Sequence, residues 1–188
     1  MKKTRIYAMC LCALFAAMLC IFGPMAVPIG PIPVSLTNLV LYVAIIIIGT
    51  KYTSISYLVY LALGIIGLPV FSGGMGGPAK LTGPTGGYLI GFILMIVVAG
   101  IFFEVTKGNL FFYIIGFIIS TAIAYAFGTA WYVYSTDNQV WQALSVCVFP
   151  FIPFDIGKIV IAYVIGLPIR RALIRGNLIS GFKNKDKD

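Results

Sequence analysis

The sequence predicts an all-α integral membrane protein with six transmembrane helices and both termini in the cytoplasm. Three observations predict it. Of the 188 residues, 61% are hydrophobic and only 10% are charged, more apolar surface than a water-soluble domain of this length can hide. The apolar residues fall in long continuous runs rather than the alternating segments of about ten residues that build a membrane barrel. The basic residues alternate between the ends of those runs as membrane topology requires.

A helix needs about 20 apolar residues to cross the hydrocarbon core, and six runs qualify. The first covers about Arg5 to Phe22 and ends at Gly23-Pro24. Lys2, Lys3 and Arg5 ahead of it imitate a secretion signal. Leu19 ahead of Cys20 argues against lipoprotein processing, so the run reads as a retained helix. A loop with Pro24, Pro28, Pro31 and Pro33 follows. The second helix runs from about Ser35 to Thr50 and the third from about Ser54 to Val70. The fourth spans about Thr85 to Phe103, the fifth about Leu110 to Tyr134, and the sixth about Phe154 to Ile174, after a loop containing Asp137 and Trp141. Residues 1–182 form one membrane domain, and the charged tail 183–188 is expected to be disordered.

With the N-terminus inside, eleven of the thirteen Lys and Arg residues lie on the cytoplasmic side. Lys80 alone faces outward, and Lys158 falls within the sixth helix. This places the Pro-rich loop, the glycine-rich segment and the Asp137 loop on one outer face. Trp131, Tyr132 and Tyr134 then read as an interfacial aromatic belt.

Between the third and fourth helices the chain reads GIIGLPVFSGGMGGPAKLTGPTGGYLIGF, from Gly64 to Phe92, and holds ten of the 21 glycines. Irregular backbone persists at membrane depth only when buried in protein or lining a cavity. Glycine also lets backbone approach a ligand closely. The segment therefore suggests a lid or cradle for a small molecule, with Gly73 and Gly74 as close-approach points.

Two charges fall within a span and away from its rim: Asp155 and Lys158. Their spacing of three puts both on one helix face, and ionisable residues in a span point to a functional site. Pro153 starts the sixth helix, so Asp155 suits its first turn, whereas a cation there is disfavoured unless it has another role. Ser35, Thr37 and Asn38 open the second helix. Ser35 is a candidate ligand contact or a helix cap, and the Asn38 amide both donates and accepts. Tyr88, after Gly86-Gly87, is either a ligand contact or an interfacial anchor.

The formal charge of +8 follows membrane topology and does not point to nucleic acid. The four cysteines have no metal spacing and there is no histidine, so we expect no metal, disulfide or cofactor. Gly157-Lys158 lacks the remainder of a phosphate-binding loop, and parts for hydrolytic triads are missing. We expect no enzyme activity. A stand-alone facilitator or channel for a small polar solute remains an alternative, followed by a membrane enzyme using Asp155 and Lys158.

The run from Gly67 to Phe92 resembles the signature of the BioY family, the biotin-binding S-components of energy-coupling-factor (ECF) transporters. Pro33-Val34-Ser35-Leu36-Thr37-Asn38 loosely matches that family's P-x-T-x-Q region, with Ser35 in place of Thr and Thr37 in place of Gln. Pro153-Phe154-Asp155-Ile156-Gly157-Lys158 resembles its D-x-x-K motif, and the match extends over essentially the whole chain. The resemblance implies an S-component fold in the cell membrane, with biotin captured from outside between the glycine-rich loop and helices 2, 4 and 6. It implies polar contacts from Asp155, Lys158, Asn38, Tyr88, Ser35 and the backbone of Gly73 and Gly74, with Phe71, Leu81 and Phe154 as apolar walls. It further implies a transmembrane coupling subunit docked on Ala13 and Ala17, and two ATPase subunits that alone use ATP.

Overall fold

The computed structural model describes residues 2–27, 32–107 and 109–179. The tail 183–188 lies outside the described residues. Helix α1 covers Lys2–Phe22, and the Gly23 N–H closes it on the Leu19 carbonyl at 2.8 Å. Its buried stripe, Ala8, Cys12, Phe15, Ala16 and Leu19, has the three-to-four spacing of one helix face. The Pro-rich loop carries an unexpected two-residue ladder. Strand β1, Ala26–Val27, pairs antiparallel with β2, Val34–Ser35, with Ala26 opposite Ser35. Ser35 is therefore not the cap of the second helix. That position is Leu36, which supplies no side-chain cap.

The expected second and third helices form one hydrogen-bonded element, α2, over Thr37–Ile66. It is broken at Gly49, where φ is 77° and ψ is 174°, a conformation readily open to glycine alone. Thr37 and Tyr60 line the same cavity, although a straight helix would hold them about 34 Å apart. The element is thus a hairpin of two antiparallel arms. Among the described residues, five helices have the length and composition of a membrane span, and the two arms of α2 bring the crossings to six.

Gly67 ends α2 in the left-handed region, with φ at 116°. Its N–H bonds the Gly64 carbonyl, and the Leu68 N–H bonds that of Leu63. The helix stops at Ile66, short of the expected Val70, because this backbone cap closes it. The glycine-rich segment then forms a bridge between Phe71 and Met75 and one helical turn, α3, at Ala79–Thr82.

Helices α4 (Gly86–Val105) and α5 (Leu110–Thr136) lie close to the expected bounds. Gly91 faces Ala124 of α5, and Gly116 faces Phe102 of α4. Such small residues let helix backbones approach closely. A short helix, α6 (Val140–Cys147), was not expected. Eight residues are too few to span, and only Ala143 and Cys147, four apart, face inward. Helix α7 (Ile152–Arg175) begins with Pro153 near its first turn and contains Pro168.

The main core joins α1, α2, α4, α5 and α7. A satellite core of Ile32, Val34, Tyr132, Ala143, Cys147 and Phe151 joins β2, the end of α5, α6 and the start of α7. Tyr132 is thus buried rather than part of the aromatic belt, whereas Tyr134 is exposed. The Trp131 ring N–H is tied to the Gly83 carbonyl at 3.0 Å.

Candidate functional site

A cleft opens among β2, both arms of α2, the first half of α4, the middle of α5 and the start of α7. Its empty space is about 670 Å³ when the open solvent at its mouth is counted. Its walls are mainly apolar and aromatic, including Ile32, Leu89, Phe92, Met95, Ala124 and Phe151.

Its polar floor is built around Asp155 and Lys158, which are only 4% and 7% exposed. The first turns of α7 place both on one face, and the Lys158 ammonium meets Asp155 Oδ1 at 2.9 Å. Lys158 Nζ also donates to the Asn38 Oδ1 and Ser35 carbonyl oxygens, each at 2.9 Å. Its three N–H groups thus have three acceptors. Asn38 returns a hydrogen bond from Nδ2 to Asp155 Oδ1 at 2.8 Å. Tyr125 of α5 donates to the other carboxylate oxygen, Oδ2, at 2.6 Å. Burying these charges is tolerable only because each has such partners.

Three more hydroxyls of the cleft are ordered by their own partners. The single Thr121 proton goes to the Phe117 carbonyl at 2.6 Å, so in its 2.6 Å contact with Thr121 the Tyr42 hydroxyl is the donor. Tyr88 donates to the Cys147 carbonyl at 2.8 Å. Three cavity tyrosines, 42, 88 and 125, have therefore committed their protons and offer lone pairs. The cleft is rich in acceptors, which suits a ligand with N–H donors. Burial pushes the Cys147 thiol up to about 11 against a smaller lowering by Tyr88, which keeps it a thiol at neutral pH.

The structure brings together Asp155, Lys158, Asn38, Tyr88 and Ser35 on the cleft wall. It does not bring Gly73, Gly74, Phe71 or Leu81 there. Gly73 and Gly74 are exposed, and their N–H groups bond the carbonyls of Pro24 and Phe71. The Phe71 ring is fully buried against Gly64 and Tyr60. Leu81 packs on the main core. Phe154 is half exposed, and Phe151 takes the place on the wall. The glycine-rich segment reaches the cleft through Ser72 and Thr85. Lys80 lies outside the cleft lining, its ammonium 3.5 Å from Met75 Sδ, and partial burial lowers its pKa.

Sequence reasoning missed Tyr42, Tyr60, Thr121 and Tyr125 as cleft residues. A signal was present for the last two: they sit four apart in an otherwise apolar span, the spacing that puts two polar groups on one face.

Comparison with known proteins gives a consistent result. The family model described as "BioY family" matches residues 1–175. "Biotin transporter BioY2" of Lactococcus lactis subsp. cremoris is 34% identical over 178 residues, covering 94% of this chain and 97% of that protein. "Biotin transporter BioY" of Thermotoga maritima is 34% identical over 161 residues, with 84% and 92% covered. The crystal structure of the S-component for biotin from an ECF-type ABC transporter superposes with a TM-score of 0.83. It is 30% identical and covers 97% of this chain and 96% of that one.

Proposed function

The chain belongs to the BioY family, and on that premise we propose that it is the biotin-binding S-component of an ECF-type importer. Family membership makes it a multi-pass membrane transport protein rather than an enzyme. The observation that carries the ligand assignment is the buried Asn38–Asp155–Lys158–Tyr125 cluster at the floor of the cleft.

Biotin presents two ureido N–H donors, one carbonyl, a thioether and an apolar chain ending in a carboxylate. Asp155 accepts a ureido N–H, a charge-assisted bond that is strong in a dry site. Thr37 and Tyr60 hydrogen-bond each other, and the one hydroxyl proton left between them is the donor for the ureido carbonyl. Phe92, Met95 and Phe151 supply the apolar wall for the ring system. The basic residues orient the cleft outward and both termini inward, so biotin is captured from outside the cell. The chain has no phosphate-binding loop. Uptake therefore draws on ATPase subunits through a coupling subunit that docks on Ala13 and Ala17.

Titration with biotin followed by tryptophan fluorescence tests this reading, with Trp131 tied to the glycine-rich segment as the reporter. The wild type is expected to bind. Asp155→Asn and Lys158→Ala are each expected to weaken binding at least tenfold, about 1.4 kcal/mol. If neither reaches tenfold, the site is elsewhere.

A further inference from the structure

We propose that Tyr125 is a positioning residue for the ligand, one that acts through Asp155 and sets how many donors that carboxylate can take. The inference rests on the biotin reading above. A carboxylate has about four acceptor directions. Oδ1 is filled by Asn38 Nδ2 and Lys158 Nζ at 2.8 and 2.9 Å. Oδ2 receives Tyr125 at 2.6 Å, which leaves one direction at Oδ2 for the ligand. Asp155 therefore takes one ureido N–H, not both.

The arrangement also fixes the plane of the carboxylate. Asn38 and Lys158 hold one oxygen from α2 and α7. Tyr125 holds the other from α5, a helix that contributes no other group to this cluster. Without the Tyr125 hydroxyl the carboxylate is anchored at Oδ1 alone and can swing about that anchor. Tyr125 lines the cleft and is only half-buried, so its hydroxyl reaches Asp155 from the ligand's side.

The test is a two-residue cycle of Tyr125→Phe and Asp155→Asn on the purified full chain, reading biotin affinity by titration. Tyr125→Phe is expected to weaken biotin about tenfold in the wild-type background. On the Asp155→Asn background it is expected to change affinity less than twofold, because the group it positions is gone. Biotin analogues methylated at one ureido nitrogen or the other extend the readout. One of the two isomers loses its N–H bond to Asp155 and is expected to show no further loss with Tyr125→Phe. Thermal unfolding of each variant identifies a folding defect, and Tyr125→Met, which removes the donor and fills the space with a flexible apolar chain, is then measured in its place. Unchanged or tighter biotin binding by the substituted protein overturns the proposal. So does an equal loss in both backgrounds. Absence of biotin binding by the wild type would instead overturn the ligand assignment.

Discussion

Asn38 shows how one side chain holds a buried charge pair together. Its amide oxygen accepts a hydrogen bond from Lys158 while its amide N–H donates one to Asp155. Removing it leaves an ammonium and a carboxylate each one partner short in a dry site. Asn38→Ala is expected to cost about 1–3 kcal/mol and to weaken biotin more than tenfold, read by titration and thermal unfolding together. Wild-type binding by this variant would mean the pair needs no third member. Asp155 and Lys158 were legible in the sequence because charges stand out in an apolar span. Tyr42 and Tyr60 were not, since an aromatic residue in a span reads as core. Only the rotation of α2 and α5 reveals which hydroxyls face the cleft. The glycines misled for a related reason: Gly73, Gly74 and Gly77 have positive φ, and that conformational need shapes the loop itself without requiring a ligand.

The α2 hairpin is stabilised at the end of the molecule away from the cleft, by two charged residues from other helices. Arg170 of α7, 6% exposed, donates to the Ile46 and Ile47 carbonyls at 2.8 and 3.3 Å, where the first arm runs out of partners. Glu104 of α4 accepts from the Thr50 N–H and hydroxyl at 2.9 and 2.7 Å, where the second arm begins. A cation at a helix C-terminus and an anion at an N-terminus both suit the helix dipole. Gly49→Ala puts a Cβ on a positive-φ backbone essentially restricted to glycine and is expected to cost about 1–3 kcal/mol. Thermal unfolding in detergent would read that loss, with biotin affinity staying within twofold. A large loss of affinity would show instead that the break communicates with the cleft. The break itself was legible from Gly49, Thr50 and Lys51 between two apolar runs. Its caps come from residues more than 50 positions away, which local pattern cannot connect. Helix α6 escaped notice because its burial depends on the satellite core, not on its own sequence period.

Among the described residues, the whole molecule presents one face of α1 without a partner. Ala13 and Ala17 are exposed there beside Leu14 and Ile21, in a helix whose opposite stripe packs on α2. Small residues four apart permit close helix approach, in keeping with the proposed coupling subunit. Replacing both alanines by leucine is expected to abolish co-purification with that subunit and ATP-driven uptake, with biotin titration unchanged. Retained co-purification would move the docking face elsewhere. At this scale the sequence was most readable: span number, order and approximate bounds follow from hydropathy and charge, while the rotation of each helix depends on contacts across the fold. One further consequence comes from having Asp155 and Lys158 three residues apart on a single helix. During synthesis α7 brings its counter-charge with it, so its entry into lipid need not wait for Asn38 on α2. Placed on separate helices, each charge would enter unpaired, at up to about 2.5–3.5 kcal/mol, the cost at a helix centre. The spacing lets the start of α7 insert as a locally neutral unit.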